Sequence, residues 1–564
     1  MDTAFVLGVL FILASALIGG LIARLLKLQP MVGYLLAGLV FGGIYSQGLV
    51  AQKLADIGII LLLFSIGIEL SFSRLAKVFK VVSLAATLQL FLVAAILYFL
   101  INLMGALPQT AIILAIGFSL SSTAVVVKTL VDRGEMETLH GELALGWLLI
   151  QDLAVIPILV LLPIFSQPFG VGMLFSAGRA LGTASLVVIL AVILGKLIVP
   201  YLLHKVAATN SRELLILSAV FLAVGTALIT SFFGISPALG AFLAGVVISE
   251  SQEKHAVFSE TRPLRDLFVA IFFVTLGFIV RLPAVFSHIS LIIAMVVMVI
   301  LVKFIVIFFL TLLSGHRGKT AVALGLGLSQ VGEFAFIIFS QASSLNLISA
   351  ETASAGIVVA LISLMITPLL FRAIVPMWRF LKDFAKDKKF FSKFVLGLDK
   401  DLLGKEISYE NHIIICGYGR VGGWVGRALS GIRVPFVVVE YDANVVNKLK
   451  NSGIEVIYGD PTHPEVLEAA GIKKARAIVM AIPDNIAQEE IIAFVQTKAP
   501  SVRIISRVHL DEEWEKIKTM KVDKIVQPEF EAAVAIIRSV LIERGKTKEE
   551  VSDIVKALRV SHGR

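Results

Sequence analysis

Cysteine is almost absent. Cys416 is the single one in 564 residues, which excludes an internal disulfide and any cysteine-based zinc site. Charge is scarce as well: 16% of residues are Asp, Glu, Lys or Arg, against about a quarter in soluble domains, so most of this chain cannot face water. The start, Met1 to Phe5, has no basic segment, and its apolar run continues to Arg24, which predicts a first transmembrane helix rather than a cleaved signal peptide. No Thr-Val-Gly-Tyr-Gly-like filter occurs, which speaks against a nucleotide-gated potassium channel. Haem-pairing histidines and cysteine clusters are also missing, which speaks against a membrane oxidoreductase. The formal charge of +9 does not point to nucleic acid, because much of the Lys and Arg lies in short loops between apolar runs, where it sets topology.

What is there is hydrophobic: 57% of residues, with a mean hydropathy of +0.92. Runs of about 20 apolar residues, each long enough to cross a bilayer, predict about thirteen spans. They lie near 4–24, 30–48, 54–72, 81–104, 108–130, 141–165, 179–203, 212–232, 235–250, 264–282, 288–313, 319–344 and 352–378. Alternate loops carry Arg24 and Lys27; Arg74, Lys77 and Lys80; Arg133; Lys205 and Arg212; Lys254, Arg262 and Arg265; Arg317 and Lys319. The opposite loops offer Lys53, Arg179 and Arg281. The positive-inside rule then predicts an N-terminus outside and a C-terminus in the cytoplasm.

The membrane half repeats at an offset of about 210 residues. Pro30 to Gly33 with Gly38 matches Pro237 to Gly240 with Gly245; Asp56 to Gly67 matches Asp266 to Gly277; Ala115 to Ser121 matches Ala323 to Ser329. With six spans per repeat and one between, the second copy enters the membrane in the opposite sense. The fold class expected is an all-α polytopic membrane domain with an inverted repeat and two broken crossing helices, joined to an α/β Rossmann-like cytoplasmic domain. The boundaries expected are 1–378 for the membrane domain, 379–410 for a charged and aromatic linker, 411–545 for the nucleotide domain and 546–564 for a C-terminal tail.

Ser119 to Thr123 and Gly325 to Gly332 fall mid-span at equivalent repeat positions, where unwinding would free carbonyls and aim half-helix dipoles inward. Asp152, in the sixth span, is a carboxylate where burial disfavours charge. It can hold a proton or a desolvated monovalent cation, K+ or Na+, but not comfortably both, which is the chemistry an exchanger needs. Gln151 beside it can offer an uncharged carbonyl oxygen. Lys303, mid-span, either pairs with Asp152 when no cation is bound or snorkels. Glu333, after the second break, is either a second ion-pathway group or a local structural partner. Ser122, Thr123 and Gln330 complete the candidate ion site, and Glu69 at a span end reads as a cap or interface residue.

After His412 the pattern turns to short β-rich runs alternating with amphipathic helices, with strands near 412–416, 435–440, 454–457, 477–481, 502–506 and 523–526. Gly417-Tyr418-Gly419-Arg420-Val421-Gly422 follows the first strand and opens a helix, and Glu440 ends the second strand. In that context the glycines permit a tight turn and close approach of amides to phosphate, and the acid bonds ribose hydroxyls and disfavours NADP. Cys416 reads as a core strand residue. The helix from about Glu529 to Gly545 lines up Ala532, Ala533, Ile536, Ile537, Val540 and Leu541 on a face suited to a partner.

Ser121 to Val127, Gln151 to Pro157, Pro237 to Gly245 and Gly332 to Phe336 resemble the monovalent cation:proton antiporter-2 family. The Gln151-Asp152 pair with a fused nucleotide domain resembles its Kef-type potassium branch, whose sodium-type relatives carry Asp-Asp there. The resemblance covers nearly the whole chain. It implies a K+/H+ or Na+/H+ antiporter of the cell inner membrane, not an enzyme, with Asp152 as the proton and cation carboxylate and Lys303 as its alternating partner. It also implies a homodimer through membrane and nucleotide domains and an elevator-like movement; an ancillary subunit is allowed for, though no residue points to one. Gly459 to Thr462 resembles the turn of RCK/KTN domains, which implies that Asp460 and Thr462 lie near the adenine end of AMP, ADP, ATP or NAD(H) acting as a gate ligand. Arg507 fits the glutathione-gated pattern, but His509 stands where another Arg is expected, and His255 to Arg262 lacks the acidic inhibitory stretch.

Overall fold

In the computed structural model the described residues are 3–561 apart from 27–28, 43–48, 70–71, 137, 168–169, 210, 233–236, 281, 317, 387–408, 442, 484 and 510. Most of the expected linker, and the loop charges at 27, 281 and 317, therefore lie outside them. The chain divides into two compact units: Met1–Thr129 with Leu139–Lys386, and Leu130–Thr138 with Asp387–Arg564.

The first unit is helical. Its first half holds α1 (Thr3–Leu25), α2 (Pro30–Phe41), α3 (Leu49–Glu69), α4 (Phe72–Leu103), α5 (Pro108–Ser119), α6 (Thr123–Asp132) and α7 (Leu139–Leu161). After α8 (Val171–Ala207) come α9 (Arg212–Phe232), α10 (Pro237–Ser249), α11 (Lys254–Ile279), α12 (Leu282–Ser287), α13 (Ile289–Leu313), α14 (Lys319–Gly327), α15 (Glu333–Ser344) and α16 (Ala350–Lys386). Every predicted span contains helix. Among the described residues seven apolar stretches are long enough to cross a membrane, and three shorter apolar helices accompany them. Leu10, Leu17 and Leu21 of α1, Phe91 and Phe99 of α4, and Phe221 and Leu228 of α9 are exposed, as side chains turned to lipid must be.

Packing reproduces the repeat. α1 lies on α2 and α2 on α11; their counterparts are α9 on α10 and α10 on α3. The glycines the repeat equates exchange partners. A Cβ on Gly38 would stand 2.1 Å from the Val274 carbonyl and 3.0 Å from the Gly277 Cα; one on Gly245 would stand 2.1 Å from the Phe64 carbonyl and 2.9 Å from the Gly67 Cα. Gly38 maps onto Gly245 and Gly277 onto Gly67, so the two contacts are one contact seen twice. These helices (α1–α3 and α9–α11) form one bundle. The other joins α4–α7 to α13–α16, with α4 against α13 and α5 against α15. The fifth and twelfth spans are interrupted, at Leu120–Ser122 and Leu328–Gly332, inside this second bundle.

The second unit carries a six-stranded sheet in the order β3-β2-β1-β4-β5-β6. The strands are β1 (Ile413–Cys416), β2 (Phe436–Glu440), β3 (Val456–Tyr458), β4 (Ala477–Met480), β5 (Arg503–Arg507) and β6 (Lys524–Val526), and all pairings are parallel. That is the doubly wound nucleotide-binding order, with its switch point beside β1. Both faces are covered, so the strands read as continuous apolar runs. Ile414 and Cys416 enter one core with Val437, Ile478 and Ile504, while Ile415 and Val438 enter the other with Val446 and Leu449. The helices are α17 (Arg420–Gly431), α18 (Ala443–Asn451), α19 (Pro464–Ala469), α20 (Asn485–Lys498), α21 (Asp511–Thr519), α22 (Pro528–Glu543) and α23 (Lys548–Ser561). The stretch expected as a tail thus holds a helix. α23 packs on α22, and Arg559 meets Glu531 through two bonds of 2.8 and 2.6 Å. Ile536 and Val540 on α22 stay exposed.

Candidate ion and nucleotide sites

The two unwound segments cross, and each finishes the other's backbone hydrogen bonding. The Ser122 amide donates to Gln330 Oε1 (3.0 Å), Gln330 Nε2 donates back to the Ser122 carbonyl (3.3 Å), and the Ser121 hydroxyl donates to the Leu328 carbonyl (2.7 Å). Gly332 N donates to the Leu120 carbonyl at 3.0 Å, and Val331 N to the Ser363 hydroxyl at 3.0 Å. A buried break needs such partners, since an unpaired amide or carbonyl in hydrocarbon costs several kcal/mol. Ser and Gly occur here because short side chains let the backbones approach: a Cβ on Gly332 would lie 2.5 Å from the Ser121 carbonyl oxygen.

The half-helix ends carry opposite partial charges. Near the carbonyl ends sits Lys303, fully buried, its ammonium donating to the Leu120 carbonyl (2.7 Å) and the Gln330 carbonyl (2.6 Å). The breaks supply these two carbonyls to Lys303, which a run of residues does not reveal. Near the amide ends sit the acids. Thr123, first residue of α6, donates its hydroxyl to Asp152 Oδ1 and Oδ2 at 3.1 and 2.9 Å. Glu333, first residue of α15, has the Ser122 hydroxyl and the Ala124 amide beside its carboxyl, and its Oε2 is buried without a hydrogen-bond partner.

Asp152 opens on a narrow crevice between the two bundles. Leu63 and Ile66 of α3 and Leu239 and Phe242 of α10 form one wall; Val155, Ile156, Leu159 and Phe334 flank the carboxylate on the other. Gln151 does not line it. The side chain is fully buried; its Oε1 accepts the Ser121 amide (2.7 Å) and its Nε2 donates to Gln89 Oε1 (2.6 Å). The carbonyl expected to face an ion is therefore turned to the backbone break. Gln89 escaped the sequence reading; an amide in the middle of the apolar run 81–104 was its signal.

In the second unit the predicted residues converge at the C-terminal ends of β1, β2 and β3. Gly417 has φ +86, a conformation that side chains resist, and a Cβ on Gly422 would meet the Gly417 carbonyl at 2.0 Å, so the turn requires both glycines. Gly419 caps α17, and nothing lies within 4 Å of its would-be Cβ, which leaves the helix N-terminus open. Arg420 is exposed at the first turn, Val421 packs into the core, and Tyr418 lies against Gly426. Glu440, buried at 6% exposure, accepts the Tyr418 amide (2.7 Å) and the Tyr441 amide (2.9 Å), so it braces the glycine turn. The Gly459 amide bonds the Glu440 carbonyl at 3.0 Å, which brings Asp460 and Thr462 alongside; Asp460 Oδ1 accepts the Thr462 amide (2.9 Å) and hydroxyl (2.8 Å). Burial pushes the Cys416 thiol far up, helped by the charges of Asp460 and Glu440, so it is an inert core residue. Arg507 Nη2 donates to His509 Nε2 (2.6 Å), and His509 Nδ1 bonds Glu529 Oε1 (2.7 Å).

A repeat-built helical unit, two crossing breaks and a half-buried carboxylate on a crevice define a membrane secondary transporter, here carrying a Rossmann-type domain. The family profile described as "Sodium/hydrogen exchanger, transmembrane" matches residues 13–375, and "TrkA-N domain" matches 413–528. The chain belongs to the sodium/hydrogen exchanger family and carries a TrkA-N domain. It is 31% identical over 542 residues, 92% of its own length and 94% of the relative's, to the putative cation/proton antiporter YbaL of Escherichia coli (strain K12). The crystal structure of the TrkA-N domain of inner membrane protein YbaL covers 23% of this chain and 96% of that one, at 30% identity and TM-score 0.23. The sodium proton antiporter MjNhaP1 from Methanocaldococcus jannaschii covers 67% of this chain and 100% of its own, at 16% identity and TM-score 0.53, a likeness of fold. The protein is a multi-pass membrane cation/proton antiporter with a regulatory nucleotide-binding domain, a transporter and not an enzyme.

Proposed function

We propose that the chain exchanges K+ for H+ at Asp152, with Na+/H+ exchange as the second reading. The observation that carries this is the place of Asp152: one carboxylate, held by Thr123 at the crossing of two broken helices, facing a crevice between two bundles. An ion bound there must shed most of its water, and a carboxylate in so apolar a setting exchanges a proton for a cation rather than holding both. K+ loses its hydration shell more readily than Na+, and Gln151 adds no second charge to compensate a smaller ion, which favours K+. Thr123 supplies an oxygen beside the carboxylate; Ser122, Gln330 and Gln151 hold the breaks; Lys303 neutralises their carbonyl ends and moves to Asp152 when the cation leaves; Glu333 serves the ion path.

All groups named lie on the second bundle, whereas α3 and α10 present to the crevice an apolar wall. That division supports an elevator-like cycle in which the second bundle carries the ion past the first. The N-terminus lies outside and the nucleotide domain in the cytoplasm. The membrane domain is 1–378, the linker 379–410, and 411–545 binds AMP, ADP, ATP or NAD(H) at Gly417–Gly422, Glu440, Asp460 and Thr462 as a gate ligand. Two copies assemble through membrane and nucleotide domains, the latter through the exposed Ile536 and Val540.

In proteoliposomes with a pH dye, Asp152→Asn should abolish cation-dependent dequenching by K+, Na+ and Rb+, and wild type should respond to K+ at the lowest concentration. Exchange that survives Asp152→Asn overturns the site; a Na+ preference overturns the K+ reading.

A further inference from the structure

Asp152 is placed by a short chain of bonds that begins on a helix with no other part in the ion site. Gln89 on α4 is fully buried and bonds two other helices, α5 and α7. Its Nε2 donates to the Ser119 carbonyl at the end of α5 (2.9 Å), and its Oε1 accepts from Trp147 Nε1 (3.3 Å) and from Gln151 Nε2 (2.6 Å) on α7. Chemistry fixes the direction of every bond. The indole N–H and the Ser121 amide can only donate, and the Ser119 carbonyl can only accept. The Gln89 oxygen must therefore face α7 and its NH2 must face the break, which in turn aims the Gln151 NH2 at Gln89 and the Gln151 oxygen at Ser121 N (2.7 Å). Gln89 and Gln151 together clamp the first break on both sides of Leu120, at Ser119 and at Ser121. Two residues past Ser121 stands Thr123, whose hydroxyl holds both oxygens of Asp152.

We propose that Gln89 is a positioning residue for exchange: acting through Gln151, it sets the first break so that Thr123 and Asp152 face each other in the geometry that binds the cation. The inference rests on the reading of Asp152 as the shared carboxylate. It follows from the bond directions that residue 89 must both donate and accept. An apolar side chain of the same length leaves the Ser119 carbonyl, the Trp147 N–H and the Gln151 N–H without this partner in a dry interior, so the break relaxes toward other partners and carries Thr123 with it.

The test is exchange in proteoliposomes by Gln89→Met, Gln89→Glu, Gln151→Met and the double variant Gln89→Met/Gln151→Met, with Asp152→Asn in parallel. Gln89→Met should raise the apparent KM for the cation about tenfold and displace the pH profile, with the maximal rate changed less. Gln89→Glu, which in its neutral form keeps one donor and one acceptor, should stay within about threefold of wild type. The double variant should cost no more than the costlier single one, since both act on one linkage. A melting temperature read on each purified variant separates fold from function. Wild-type KM and pH profile in Gln89→Met overturn the proposal. So do effects that add in the double variant, or a fall in rate and melting temperature at unchanged KM. Activity retained by Asp152→Asn overturns the site reading instead, and loss there with an unaffected Gln89→Met overturns the Gln89 proposal alone.

Discussion

Gly332→Ala tests the crossing most directly. The added Cβ would stand 2.5 Å from the Ser121 carbonyl oxygen, 2.6 Å from its carbon and 2.9 Å from the Ser122 nitrogen, all backbone atoms that cannot swing aside. Ordinary contact begins near 3.4 Å, so the segments must part by about 3.4 − 2.5, or 0.9 Å. That displacement stretches the Gly332–Leu120 bond from 3.0 Å and the Ser122–Gln330 bond from 3.0 Å beyond useful range, and it moves Thr123 relative to Asp152 by a similar amount. Overpacking of this kind costs about 1–3 kcal/mol. A misplacement of about 1 Å at a working site costs about a hundredfold in rate. Gly117→Ala is the control: its Cβ would meet the buried Phe339 ring at 2.4 Å, overpacking a side chain of the core without touching the crossing backbone. Dye-dequenching rates and melting temperatures should show Gly332→Ala slowed about a hundredfold and destabilised, with Gly117→Ala affected less. Gly332→Ala at wild-type rate and melting temperature would refute a rigid backbone crossing.

In the nucleotide domain, Gly419→Ala should leave the melting temperature unchanged, because its Cβ meets nothing, yet weaken adenine-nucleotide binding by calorimetry, because the open space is where phosphate would sit. Gly422→Ala should lose both binding and stability, having 2.0 Å to the Gly417 carbonyl; equal effects from the two would place the ligand elsewhere. Burial raises the Glu529 carboxyl, but its own amide, the His509 hydrogen bond and the charges of His509 and Arg507 outweigh that and hold it below 4.5. A depressed acid stabilises above its unfolded pKa and loses that contribution as pH falls through the folded value. Melting of the domain transition should therefore drop below about pH 4.5, less in Glu529→Gln, and a variant with the same slope would refute the pairing.

Much of this was legible in the residues because it depends on period and spacing. The repeat, the Ser and Gly breaks and the nucleotide turn are local patterns; that Gly38, Gly67, Gly245 and Gly277, which mark the repeat, also meet backbone to backbone came only with the fold. The site's wiring was less legible because it depends on which way side chains turn. Gln151 beside an acid reads as an ion ligand until a neighbouring helix presents Gln89, and the two carbonyls that the breaks offer Lys303 lie outside any local pattern. The span from 546 was short and polar enough to pass for a tail; its helix became visible only with Glu531 opposite Arg559.

The exchanged glycine contacts carry a mechanical consequence. At Gly38–Gly277 and Gly67–Gly245 the first bundle's helices touch backbone to backbone, with no side chain between them to change rotamer. Such joints have almost no play. In the proposed elevator-like cycle these joints keep the bundle that holds no ion-site residue in one piece as the stationary track, with Leu63, Leu239 and Phe242 on its inner wall, and the polar bundle is the part that travels.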